Sequence, residues 1–145
     1  MRRIAVAALV TMLIACERSA TPESGGDASA MGGMMHDMTA TVDTTGLRAL
    51  PIPTELAAGR QRFDASCAAC HGEFALGTDV GPPLVHIIYE PNHHGDGAFI
   101  LAAERGVRAH HWSFGDMPPV QNVSREDLVE IVSYVRWLQR EAGIR

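Results

Sequence analysis

The chain contains no lysine. All twelve basic residues are arginine, set against seventeen acids, and the formal net charge is −5. The arginines form no basic stripe, so the electrostatic footprint of nucleic-acid binding is missing and no nucleic-acid partner is expected. Any apolar run of the ~20 residues that a membrane-spanning helix needs is also missing. Aromatic residues make up 6% of the chain, a thin supply for the core of a 145-residue protein. There are only three cysteines, Cys16, Cys67 and Cys70. A structural zinc site usually draws four ligands from two C-x-x-C pairs, and the second pair is absent.

What is present begins with Arg2 and Arg3, an apolar run from Ile4 to Ile14, and Ala15-Cys16. A charged start followed by a short apolar stretch reads as an export signal over residues 1–15. The stretch Leu13-Ile14-Ala15-Cys16 resembles the lipobox of bacterial lipoproteins. That resemblance implies cleavage before Cys16 and lipid attachment to its thiol, on the periplasmic side of the bacterial cell envelope. Each buried CH₂ contributes roughly 0.8 kcal/mol, so two or three acyl chains would anchor the protein without spanning the bilayer. Loss of residues 1–15 removes two arginines and no acid, moving the formal charge from −5 to −7. Export also places Cys67 and Cys70 in an oxidising compartment, where a bare pair would tend towards a disulfide.

Residues 16–52 show no apolar periodicity and are rich in Ser, Thr, Gly, Ala and Asp. Such composition cannot bury enough surface to offset ordering, and a disordered tether with a reach on the order of 30–35 Å is expected. The folded domain is expected over 53–145. Leu56, Gly59, Phe63 and Cys67 share one helical face behind Pro53 and a candidate N-cap, Thr54. Asp96 to Arg105 reads as a shorter helix, with Asp96 as its cap and Gly106 just past its end. Ser124 to Asp127 has capping-box spacing. Leu128, Ile131, Val132, Val135 and Leu138 then form one stripe, widened by Tyr134 and Trp137. Stretches rich in Gly, Pro and His fill 75–95 and 106–123, and no strand alternation is visible. Three or four helices with this much loop make a poor core unless something large and apolar fills the middle.

The stretch CAACH, Cys67 to His71, supplies a candidate for the filler. C-x-x-C-H is the signature of covalent haem attachment. One helical turn lets Cys67 and Cys70 each form a thioether to one porphyrin, and His71 then presents its imidazole to the iron. A thioredoxin-type dithiol would need a strand–helix–strand setting that this pattern lacks. For the second axial position, Met117 is the one methionine in the expected domain. Gly115 and Pro118-Pro119 flank it and stiffen its loop. His/Met ligation raises the reduction potential and suits a one-electron carrier. His110 and His111 are the alternative ligands and would set a lower potential.

Residues 53–145 resemble a class I, single-haem bacterial cytochrome c. The resemblance rests on the helix with Gly59 and Phe63, on CAACH, on GPPL at 81–84, on MPP at 117–119 and on the aromatic last helix. It implies an all-α fold of three to four helices and long loops wrapped around one covalent haem c. It also implies that the first and last helices cross, with Gly59 and Phe63 against Tyr134 and Trp137. A proline carbonyl should accept the proximal imidazole N–H, and Pro82 is placed to supply it. Arg108 and Trp112 are candidate donors to buried haem propionates, which need charge-assisted partners. Lysine, which rims the haem edge in many relatives, is absent, so arginine or apolar contact must serve for docking.

Two motifs lie outside that pattern. His93-His94 and His110-His111 are adjacent pairs; in extended chain only one of each would face inward, and a second metal site arises if the pairs meet. Met31, Met34, Met35, His36 and Met38 gather soft donors that suit Cu(I) within the tether. The sequence therefore points to a membrane-anchored electron-transfer protein, not an enzyme, whose partners are periplasmic or membrane redox proteins. A haem enzyme or gas sensor with displaceable Met117, and a copper-handling redox lipoprotein, stay open as alternatives.

Overall fold

The computed structural model describes residues 42–145. Cys16 and the Met31, Met34, Met35, His36 and Met38 cluster lie outside the described residues, as does the expected signal segment. Among the described residues four α-helices follow one another: α1 (Ala57–Ser66), α2 (Ala68–His71), α3 (Asp96–Arg105) and α4 (Arg125–Glu141). Among the described residues the only β pairing is an isolated antiparallel bridge between Val107 and Met117, and no helix is long and apolar enough to cross a membrane.

Helix α4 organises the rest. Its start is a capping box: Ser124 Oγ accepts from the Asp127 amide and Asp127 accepts from the Ser124 amide, both at 3.1 Å. Its end is a Schellman motif, in which Ile144 N donates to Gln139 O at 2.8 Å and Gly143 N to Arg140 O at 3.0 Å. Leu128, Ile131, Val132, Tyr134, Val135, Trp137 and Leu138 are all buried along it, and Ile144 returns the chain to the same core.

Helix α1 crosses α4 at Gly59. A Cβ placed there would lie 2.2 Å from the Glu130 carbonyl oxygen and 3.3 Å from Tyr134 Cβ, so only glycine lets the two backbones touch. Phe63, one turn on, meets the Tyr134 ring at a centroid distance of 5.7 Å, and Tyr134 stacks on Trp137 at 6.2 Å. The crossing inferred from the family resemblance is thus present at Gly59, Phe63 and Tyr134, with Trp137 backing Tyr134 from the same helix. Arg62 clamps its edge, paired with Asp127 and, at 3.0 Å, with Glu130.

Helix α3 is tied to α4 by Arg136, whose side chain is only 8% exposed. Its guanidinium donates to Asp96 at 2.7 Å, to the Tyr89 carbonyl at 2.7 Å, to Gln139 at 2.6 Å and to the His94 carbonyl. It also lies 4.7 Å over the Phe99 ring.

Three boundaries differ from the sequence expectation. Gly95, not Asp96, is the residue before α3, and Asp96 is used instead to pair with Arg136. Thr54 opens a single 3-10 turn (Thr54–Leu56) rather than capping α1 directly. Ordered chain also extends upstream of residue 53. Leu47 is 2% exposed within the core, and Val42, Leu50 and Ile52 pack against it. Val42, Leu47, Leu50 and Ile52 recur at no regular spacing and so carry no periodicity, yet one well-placed leucine contributes roughly 1.5–3 kcal/mol of burial.

Candidate functional site

The attachment motif sits where α1 breaks into α2. Cys67 leaves helical geometry (φ −123°, ψ −34°) while its amide still donates to Phe63 O at 2.8 Å. The next turn is closed by His71 N donating to Cys67 O at 2.9 Å and Gly72 N to Ala68 O at 2.8 Å. That turn carries Cys70 and His71. The following loop folds back over it: Gly77 N donates to His71 O at 2.6 Å, and Thr78 Oγ1 donates to Cys70 O at 2.6 Å. The loop then delivers Pro82, whose carbonyl accepts from His71 Nδ1 at 2.9 Å. With the proton held on Nδ1, Nε2 keeps its lone pair for a metal.

His71 is buried, and burial lowers its pKa against the opposing effect of the Pro82 bond. The imidazole is therefore neutral at physiological pH, the form a metal ligand requires. Burial, aided by Cys70, pushes the Cys67 thiol up to about 11, so in the bare chain it is a protonated thiol. Both cysteines are free, Cys67 half-buried and Cys70 exposed.

Cys67, His71, Pro82 and Met117 all line one cavity of about 480 Å³. Its other walls are mainly apolar side chains from α1, α3 and α4, among them Phe63, Phe99, Leu128 and Val132. Met117 is placed by the bridge to Val107, with both N–H···O bonds at 2.9 Å. Gly106, at φ +78°, makes that approach feasible, since a Cβ there would lie 2.6 Å from the Met117 carbonyl oxygen. Beyond Pro118-Pro119, Val120 N donates to Ala103 O at 2.8 Å and fastens the loop to α3. Leu101 (46% exposed) and Phe114 (39% exposed) also line the cavity, so its boundary includes apolar surface open to solvent.

Arg108 and Trp112 border the same cavity. Trp112 Nε1 donates to the Tyr89 hydroxyl at 3.1 Å. Tyr89 is a lining residue that the sequence reading did not single out; it sits in a short 3-10 turn (Ile87–Tyr89) with no periodic signal. Burial raises its pKa, opposed by the Trp112 bond, which keeps it a neutral donor or acceptor.

The two histidine pairs meet beside the cavity. His93 and His94 rings stack at 4.6 Å, and His111 stands edge-on to both at 5.1 Å. His110 and His111 both line the cavity, whereas only His94 of the first pair does. The expectation that one member of each pair turns inward therefore fails for the second pair, because 110–111 lie at a bend rather than in extended chain. Burial lowers the pKa of His94, against the pull of its Ile88 bond, and the nearby His93, His110 and Arg136 add to the lowering. Burial followed by the other three histidines lowers that of His111.

An apolar cavity of this size, two free thiols one turn apart and a neutral imidazole with its tautomer fixed are what a thioether-bound porphyrin requires, and the residues present fit that group. Comparison with curated proteins gives no match, and comparison with solved structures gives none either. The family model for cytochrome c matches residues 56–139, from the turn before α1 to the last part of α4. That span is more than half of the chain and contains the attachment motif, the Pro82 carbonyl and Met117. With an all-α fold and the expected helix crossing, the chain belongs to the cytochrome c family, which implies covalent haem c and electron transfer.

Proposed function

We propose that this protein is a one-electron carrier of the bacterial cell envelope, anchored by lipid on Cys16 and facing the periplasm. In this reading it holds one haem c through Cys67 and Cys70, with His71 and Met117 as the two axial ligands. The observation that carries it is the His71 Nδ1 bond to Pro82 O at 2.9 Å, made by a buried imidazole that shares its cavity with Met117.

When bound, the haem supplies one reversible electron through its iron. The chain's own residues determine how easily that electron moves. Pro82 holds the proton on His71 Nδ1 and so makes Nε2 a better donor. The Val107 bridge and Pro118-Pro119 hold the Met117 thioether in place, limiting the entropy lost on ligation. Apolar walls exclude water and, with sulfur ligation, disfavour the more highly charged ferric state. With both axial positions filled there is no open coordination site, which favours a carrier over an enzyme or gas sensor.

Docking in this chain must proceed without lysine. Leu101 and Phe114 offer apolar contact at the cavity, with Arg105 and Arg108 among its lining residues. Such an edge suits periplasmic or membrane redox partners that present an apolar patch with acidic groups around it. A lipid anchor would confine the carrier near those partners and raise their effective concentration. Intact mass and the reduced absorption spectrum of protein made in a host that exports and attaches haem test the whole reading. The expected mass begins at Cys16 and includes acyl chains and one haem. A mature chain of bare polypeptide mass would refute it.

A further inference from the structure

The four histidines beside the cavity come from two loops that the fold holds separately. His93 and His94 lie on a turn in which both amides donate to Glu90 O, at 3.0 and 2.8 Å, while the His94 carbonyl accepts from buried Arg136. His110 and His111 lie in the segment closed by the Val107–Met117 bridge, and Ala109 N donates to Asp116 at 2.8 Å. The ligating nitrogens of His93, His94 and His111 all lie within 4.8 Å of one another. His110 adds a fourth ring, 4.4 Å from His111 and 6.0 Å from His94.

Two of these rings already have their tautomers fixed. His94 Nδ1 donates to Ile88 O at 2.7 Å, and His110 Nδ1 donates to Arg108 O at 2.8 Å. Each therefore keeps the Nε2 lone pair, as a metal-binding histidine does when its other nitrogen bonds a backbone carbonyl. The side chains of His93 and His111 have no hydrogen-bond partner among the described residues, so core satisfaction does not account for their meeting. Imidazole nitrogens about 2.0–2.1 Å from a tetrahedral ion stand roughly 3.3 Å apart, so closing the site needs shifts of about 1 Å. His93 is exposed and can rotate to supply them.

We propose that His93, His94 and His111, with His110 beside them, form a second metal site for a borderline transition-metal ion, Cu(II) or Zn(II), next to the haem cavity. Three imidazoles without a thiolate suit these two ions, and Cu(II) stands highest in the affinity order of the divalent first-row metals. His94 and His111 line the cavity, and His111 shares its loop with Met117, so an ion there lies close to the redox centre. A divalent charge in that position favours the ferrous state, and by linkage the ferrous protein binds the ion more tightly than the ferric one.

The test uses the full mature holoprotein with Met31, Met34, Met35 and Met38 changed to leucine and His36→Gln, which removes the tether donors. Titration of the ferric protein with Cu(II) should give one equivalent of bound copper with nitrogen couplings in its paramagnetic resonance spectrum. The His93→Gln variant, altered outside the cavity lining, should bind at least 10-fold more weakly while keeping its haem absorbance, which separates loss of the site from loss of the fold. Zn(II), at a concentration that just saturates the parent protein, should raise its haem midpoint potential and shift that of the His93→Gln variant less. Equal copper affinity in parent and variant would overturn the assignment. So would a parent potential that does not respond to saturating Zn(II).

Discussion

Replacing Gly59 with alanine adds one methyl group at the point where α1 and α4 touch. The new Cβ would sit 2.2 Å from the Glu130 carbonyl oxygen and 2.8 Å from its carbon, whereas ordinary contact begins at 3.4 Å. Both atoms belong to α4 backbone in mid-helix, so no side chain can swing aside. The helices must part by about 1 Å, and a gap of 0.5–1 Å already forfeits roughly a quarter to a half of each contact's dispersion energy. Phe63, Tyr134, Val135 and Leu138, each at most 1% exposed, are the residues that lose contact. Overpacking of this kind costs about 3 kcal/mol, and alanine's better helix propensity returns about 1 kcal/mol. The net expectation is about 2 kcal/mol of destabilisation, roughly a 30-fold fall in the folding equilibrium constant. Gly97 in α3 provides the opposite case, because a Cβ there meets nothing within 4 Å. Gly97→Ala should stabilise by up to ~1 kcal/mol. Denaturant unfolding of the holoprotein, followed by far-UV circular dichroism, measures both. A Gly59→Ala protein as stable as wild type would refute the close-contact reasoning.

Met117→His should keep the fold, since the backbone bridge to Val107 is untouched, and should lower the haem potential by an amount on the order of 0.1–0.3 V, within the ~0.8 V span that axial ligands command. Potentiometric titration reads this, and an unchanged potential would remove Met117 from the iron. Arg136→Met should destabilise by about 2–3 kcal/mol by taking the guanidinium donor from the His94 carbonyl and leaving the Tyr89 carbonyl only its longer bond from Gln139 Nε2, at 3.3 Å; a neutral effect in thermal unfolding would show that those bonds are replaceable. Asp127 is held down to about 2 by its bond to Arg62 and then by its Ser124 bonds. A depressed carboxylate contributes fully above its unfolded value of 3.8 and loses that contribution as pH falls towards 2. Asp127→Asn should therefore be less stable than wild type at neutral pH and should lose less stability between pH 4 and 2. Parallel acid-unfolding curves would contradict the assignment.

Features encoded within a few neighbouring residues could be read before the structure. The Ser124 capping box and the apolar stripe of α4 are local, and both stand as expected. The spacing of Cys67, Cys70 and His71 is fixed within one helical turn, so their relation survives any error in the surroundings. The Gly59 and Phe63 crossing and the Pro82 carbonyl came from the family resemblance rather than from spacing, and the structure shows both contacts. What could not be read depends on loops meeting across the fold. Met117 is set by a single bridge, too short to leave any alternation in the sequence. Leu47 is buried among apolar neighbours, Val42, Leu50 and Ile52, whose spacing follows neither a helix nor a strand period. The convergence of the histidine pairs requires the turn at 90–94, the bend at 110–111 and the Arg136 network together, and no pairwise pattern announces that.

The central claim is iron held between the imidazole of His71 and the thioether of Met117. It is tested most directly by the ferric absorption spectrum of the holoprotein beside that of Met117→Ala. The account predicts a weak far-red sulfur–iron band and a low-spin spectrum in the wild type, with the band lost in the variant while covalent haem is retained. Identical spectra, or a high-spin wild-type protein, would contradict it.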